Sequence, residues 1–221
     1  MFIPEITSGT MLYHQIISMV KLLKPKTILE IGSANGLGST TAFTKGVYEL
    51  YSLGNNCFPQ MVCLEIFEDR YKELRKNTEP YRWITPIQAS SIKVGEGYSD
   101  VDIDSFIRAH PDMTISKLYA DMVHDWRKKE LCYILENNIR QDGIGQAKEQ
   151  LGDIDMVFID GSPFTGEAEL EKVYGAGCII LDDIIDIKNY KNYKRLSSDT
   201  RYHLRGIDEH ERNGWAIFSK E

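Results

Sequence analysis

The chain has 221 residues, 42% hydrophobic and 27% charged, with a formal net charge of −7 at pH 7. That length suits one globular unit with a sizeable core, and the negative balance argues against a nucleic-acid backbone as partner. No run of eighteen apolar residues occurs, and "MFIPEITSGTMLYHQ" lacks the basic-then-apolar order of a signal peptide, so no membrane partner and a cytoplasmic location are expected.

Residues 10–23 place Leu12, Ile16, Met19, Val20 and Leu23 at helical spacing, and Pro25 stops that helix. "TILEIG" (27–32) is a short apolar strand, and "STTAFTKGVYELYS" (39–52) the helix after it. "QMVCLEIF" (60–67) is a second strand, followed by the helix "EDRYKELRKNT" (68–78). "WITPIQAS" (83–90) is a third, weakened by Pro86; "DMVFIDG" (155–161) is a fourth and "GCIILDD" (177–183) a fifth. "YHLRGID" and "GWAIFSK", joined through "EHERN", read as a closing antiparallel hairpin. The segment between strands three and four exceeds a normal crossover. It holds a Gly/Ser/Asp-rich link (95–105), then a strong helix, "KLYADMVHDWRKKELCYILENNI". There Leu118, Met122, Trp126, Leu131 and Leu135 suggest an apolar face. Residues 105–140 are read as a helical insertion that caps the site or makes a homo-oligomer contact.

Apolar strands alternating with helices imply a doubly wound α/β sheet, mostly parallel, covered on both faces. Ligands bind such sheets beyond the carboxyl ends of the strands. Glu30, Glu65, Ser90, Asp160 and Asp182 all fall at those ends. Of the cysteines Cys57, Cys63, Cys132 and Cys178, none forms a Cys-x-x-Cys pair, and reduced thiols are expected. His14, His124 and Trp126 read as packing residues. Lys188, Lys191, Lys194 and Arg195, interleaved with Tyr190 and Tyr193, read as a solvated helix face.

The glycines follow G-x-x-x-G-x-G at Gly32, Gly36 and Gly38, two residues after Glu30. This is neither the dinucleotide register G-x-G-x-x-G nor a phosphate loop, which would end in Lys-Ser/Thr. The wider turn suits a ligand without phosphates. Gly32 and Gly36 would let the backbone approach a bulky group, and the N–H groups of the turn would face a carboxylate or ribose.

"LEIGSANGLGST" resembles the first motif of the class I S-adenosylmethionine-dependent methyltransferases, acid-x-Gly-x-x-x-Gly-x-Gly. "VCLEIF" resembles the second strand, whose terminal acid, here Glu65, binds ribose, and "QASS" the loop on the adenine side. "MVFIDGSPFTGEAELEKVYGAGCIILDDI" is similar to strands four and five of the small O-methyltransferases. The likeness covers roughly residues 5–90 and 150–190. It implies a seven-stranded Rossmann-like sheet over residues 1–221 with a methyl donor held by Glu30, Gly32, Ser33, Asn35, Gly36, Gly38, Glu65, Ile66, Ser90, Ser91 and Asp160. Gly175-Ala176-Gly177 replaces a Gly-Gly pair without consequence. The Lys that follows the strand-four Asp by three residues in the metal-dependent catechol-type enzymes is Pro163 here.

A hydroxyl acceptor must lose a proton during transfer. Asp160 alone could accept it, or Asp160, Asp182 and Asp183 could hold Mg²⁺ or another divalent cation that acidifies the hydroxyl. Against the cation, Asp183 could simply cap the helix suggested by "IIDIKNYKNY". O-methylation of a small molecule of sugar or natural-product type is the leading expectation. N-methyl or aminopropyl transfer from the same donor, and a fold-keeping binding protein without activity, remain open.

Overall fold

The structure is a computed structural model describing residues 4–52, 54 and 58–220, so Cys57 lies outside it. Its elements are α1 (Met11–Leu23), β1 (Thr27–Ile31), α2 (Ser39–Ser52), β2 (Gln60–Glu65), α3 (Glu68–Thr78) and β3 (Ile84–Gln88). Then come α4 (Asp100–Ala109), α5 (Thr114–Leu118), α6 (Val123–Glu136), α7 (Gly143–Leu151), β4 (Met156–Ile159) and α8 (Gly166–Val173). β5 (Cys178–Asp182), α9 (Tyr190–Ser198), β6 (His203–Asp208) and β7 (Trp215–Ser219) complete the chain.

The strands form one sheet in the order β3-β2-β1-β4-β5-β7-β6, parallel except for β7, which runs antiparallel to both β5 and β6. Side chains alternate across it, as strand geometry requires. Ile28, Met61, Cys63, Phe158 and Ile180 face the core formed with α1 and α2. Leu29, Ile31, Val62, Leu64, Val157, Ile159 and Leu181 face the core beneath α7 and α8. Burial on both faces explains why these strands are continuous apolar runs. Pro86 pairs with Cys63 on β3, an edge strand, where one side of the backbone needs no partner. α1 stops as expected: Lys24 turns left-handed (φ 49°) and returns its N–H to the Val20 carbonyl.

The long segment before β4 departs from expectation twice. α4 begins inside the expected link, because Ser99 and Asp102 form a reciprocal capping box. The expected single helix is broken at Tyr119–Met122, which shifts the phase of its inward face. Val123 and Ile134 are buried, while Leu118, Met122, Trp126 and Leu135 of the expected apolar face are exposed. Arg127 and Glu130 share the helix side of Val123 and Ile134. A satellite core of Tyr98, Ile103, Phe106, Ile115, Val123, Phe164 and Ile187 holds α4–α6 to the loops after β4 and β5. Among the described residues, no helix is long and apolar enough to cross a membrane.

The turn after β1 is tight for an internal reason. Gly32 has φ +85°, and a Cβ there would lie 2.0 Å from the Asp160 carbonyl oxygen. Gly32→Ala is therefore expected to destabilise the protein by about 2 kcal/mol or more in urea unfolding, through strain and a forced separation of β1 from β4.

Candidate functional site

The carboxyl edge of the sheet opens into a cavity of about 350 Å³. Gly32, Ser33, Ala34 and Gly38 form one wall, Glu65, Ile66 and Phe67 another, and Ser90, Ser91, Asp160, Asp183 and Lys188 the remainder. Its position is the one expected for a ligand of a doubly wound sheet.

Glu65 ends β2, is 5% exposed, and accepts the Phe67 N–H at 2.8 Å. Burial raises its pKa, and hydrogen bonds from the Phe67, Ile66 and Ala34 N–H groups oppose that rise. An anchored carboxylate thus lines the cavity, joined directly to the glycine turn through the Ala34 N–H. Ser90 and Ser91 are fixed from behind, since the Gly143 and Ile144 N–H groups at the start of α7 donate to their carbonyls.

Three expected donor residues do not line the cavity. Glu30 is fully buried on the opposite face of β1, where Ser39 Oγ (2.6 Å) and Thr40 Oγ1 (2.7 Å) donate to it. It fastens the start of α2 rather than presenting a group to a ligand. Asn35 is 1% exposed and accepts the Leu37 N–H on Oδ1. A Cβ on Gly36 would meet Leu74 Cδ1 at 2.8 Å, and its φ is +77°, so the turn and its packing on α3 both call for a glycine there. The N–H groups of the turn are also engaged internally: Gly32 and Ser33 donate to Leu64, and Gly36 to Ser33. The glycines shape the wall and Glu65 supplies its polar contact.

Asp160, Asp182 and Asp183 converge as expected, with ligand-type atoms within 4.8 Å of one another. The chain turns sharply at Asp183 (φ 55°), which swings that carboxylate back toward Asp160. It caps no helix, because α9 starts only at Tyr190, with Asn189 at its N-cap. Two cations of the protein already pair with the cluster. Lys188 Nζ donates to Asp160 Oδ1 at 2.8 Å and also pairs with Asp183. Arg212 pairs with Asp182 and reaches Glu5 at 3.1 Å. Lys188, expected on a solvated helix face, is 8% exposed. Burial raises Asp182 well above the usual carboxylate range, helped by Asp160 and Asp183. Asp160 is raised by burial too, while Lys188 and Arg212 hold Asp183 low. With an ammonium between two of the three acids, this set does not fit a divalent ion.

Other participants have only tertiary signatures. Glu130 reaches the cavity from α6, and burial raises its pKa. Pro4, Glu5 and Ile6 cover the glycine turn, with Pro4 Cβ 3.3 Å from where a Gly38 Cβ would be. Glu169 of α8 is fully buried behind the site, accepting from Ser91 Oγ (2.5 Å) and Thr165 Oγ1 (2.7 Å).

The sheet order, the C-terminal antiparallel pair and the cavity at the carboxyl edge decide the architecture. This is the class I methyltransferase fold. A methyltransferase from Geobacter sulfurreducens superposes with TM-score 0.55 at 11% identity, covering 98% of this chain and 80% of that one. An O-methyltransferase from Bacillus cereus, solved with S-adenosylhomocysteine, gives 0.53 at 14%, covering 95% and 80%. The O-methyltransferase TomG from Streptomyces achromogenes, involved in tomaymycin synthesis and solved with S-adenosylmethionine, gives 0.52 at 11%, covering 95% and 79%. No protein-family model and no curated protein matches the sequence.

Glu169 generates a pH prediction. Burial lifts its pKa from 4.5 to about 7. Because the folded value is the higher one, its stabilisation is complete below 4.5 and is lost as pH rises toward 7. Relative to Glu169→Gln, the wild type should lose about 3 kcal/mol between those limits and stay level above them. Paired urea titrations across that range measure it.

Proposed function

We propose that this protein is a methyltransferase that takes its methyl group from S-adenosylmethionine and passes it to a hydroxyl of a small molecule. The observation that carries the reading is Glu65, an anchored carboxylate at the end of β2 that, together with Gly32, Ser33 and Ala34, lines a cavity at the carboxyl edge. The cavity's volume is within the range of small-molecule sites. The solved relatives that carry the donor or its demethylated product in the same fold support it.

When bound, the donor supplies an electrophilic methyl on a sulfonium. Glu65 would accept hydrogen bonds from the ribose hydroxyls, and Ser33, Ala34, Ile66, Ser90 and Ser91 would enclose the remainder. Transfer is an in-line displacement, so the chain contributes mostly position and exclusion of water. Asp160 lines the cavity beside Lys188 and would accept the proton that the hydroxyl loses. The segment from α4 to α6, which brings Glu130 to the cavity, would form the acceptor wall. Nothing in this scheme needs a cation at Asp160, Asp182 and Asp183.

Charge-assisted hydrogen bonds contribute about 1.5–3 kcal/mol each. Glu65→Gln should thus weaken S-adenosylhomocysteine binding by about tenfold or more in titration calorimetry, with NAD giving no heat. A folded wild type that ignores S-adenosylhomocysteine would remove the reading.

A further inference from the structure

The acidic triad has the layout of a divalent-cation site, yet a side chain of the protein itself sits in it. Atoms of Asp160, Asp182 and Asp183 lie close enough together to share one ion. Lys188 Nζ is bonded to Asp160 and Asp183, and Arg212 to Asp182. The three carboxylate charges therefore already meet two fixed positive ones.

Lys188 is not a surface lysine that has folded inward. Its neighbours Ile187 and Asn189 are both fully buried. The Asn189 amide donates to the carbonyls of Ile159 (3.1 Å) and Asp182 (2.6 Å), which ties this loop to the ends of β4 and β5. On the far side the Lys188 carbonyl presses on α8, where a Cβ at Gly166 would approach it to 2.0 Å. Backbone, flanking side chains and both carboxylates hold the ammonium in place. A divalent ion that needs oxygens of both Asp160 and Asp183 would have to expel it.

We propose that Lys188 is a built-in cation: it takes the seat of a divalent ion, makes the site metal-independent, and offers an ammonium N–H to the acceptor's oxygen. The acceptor part rests on the function proposed above; the metal part does not. An ammonium has three N–H groups. Two are directed at Asp160 and Asp183, and Lys188 also lines the cavity, which leaves the third for an incoming oxygen. An ammonium cannot chelate. The acceptor class this favours presents a single hydroxyl, and a second oxygen on the neighbouring carbon brings no advantage.

The test is Mn²⁺ alone, titrated by electron paramagnetic resonance into the wild type, Lys188→Met and Lys188→Arg. Wild type and Lys188→Arg should leave Mn²⁺ free up to about 1 mM, the weak end of hard-cation sites. Lys188→Met, with the seat vacated, should bind one Mn²⁺ at least about tenfold more tightly than that. Saturable wild-type binding below about 10⁻⁴ M that Asp160→Asn abolishes would overturn the proposal. So would a folded Lys188→Met that takes up no Mn²⁺. If Lys188→Met does not fold, the wild-type and Lys188→Arg titrations decide. Calorimetry with S-adenosylhomocysteine on the same wild-type sample separates the two ideas: its failure removes the methyltransferase reading and leaves the Mn²⁺ result standing.

Discussion

Three carboxylates end up together where β4 and β5 stop, and a folded chain cannot bury that much like charge without answering it. Lys188 and Arg212 are the answer, and they come from separate places, the loop before α9 and the connection between β6 and β7. The C-terminal antiparallel hairpin therefore does more than close the sheet. Its turn delivers the guanidinium that faces Asp182, and through Glu5 the same guanidinium fastens the N-terminal segment over the glycine turn. Removing one cation would leave an uncompensated buried carboxylate, which costs about 3–5 kcal/mol where it has been measured in buried pairs.

A second internal carboxylate organises the other half of the edge. Glu30 is bonded to Ser39 and Thr40, so the start of α2 is set relative to β1. Gly32 then lets Asp160 approach, and Leu64 receives the two N–H groups that follow. The first-motif acid and glycines thus act on protein, and through it on the shape of the pocket. Glu65 is the residue of that motif set whose carboxylate lines the pocket.

Much of this architecture was legible in the chain. Strands buried on both faces are continuous apolar runs, and turns and acids at their carboxyl ends mark the functional edge. Even Pro86 is informative once β3 is seen at the sheet's border. The capping box at Ser99 is present in the chain as Ser-x-x-Asp, inside a stretch whose Gly, Ser and Asp content otherwise marks a link. What could not be read was partnership across distance. Lys188 sits in a run of basic and aromatic residues that looks like any solvated helix, and only the sharp turn at Asp183 sends it inward. Arg212 sits in a polar hairpin turn. Glu130 was hidden because helical periodicity depends on phase, and the break before α6 altered it.

Ile187 belongs to the satellite core with Ile103, Phe106 and Val123, while the next residue places its ammonium among the acids. One peptide unit separates the packing of the α4–α6 segment from the electrostatic potential at the pocket. Phe164 makes the matching link on the other side, two residues beyond Ser162 in the cavity wall. Remodelling these helices to admit a different acceptor would thus shift charge as well as shape. Grafting the segment onto another scaffold of this fold would succeed only if residues 162–165 and 186–189 travelled with it.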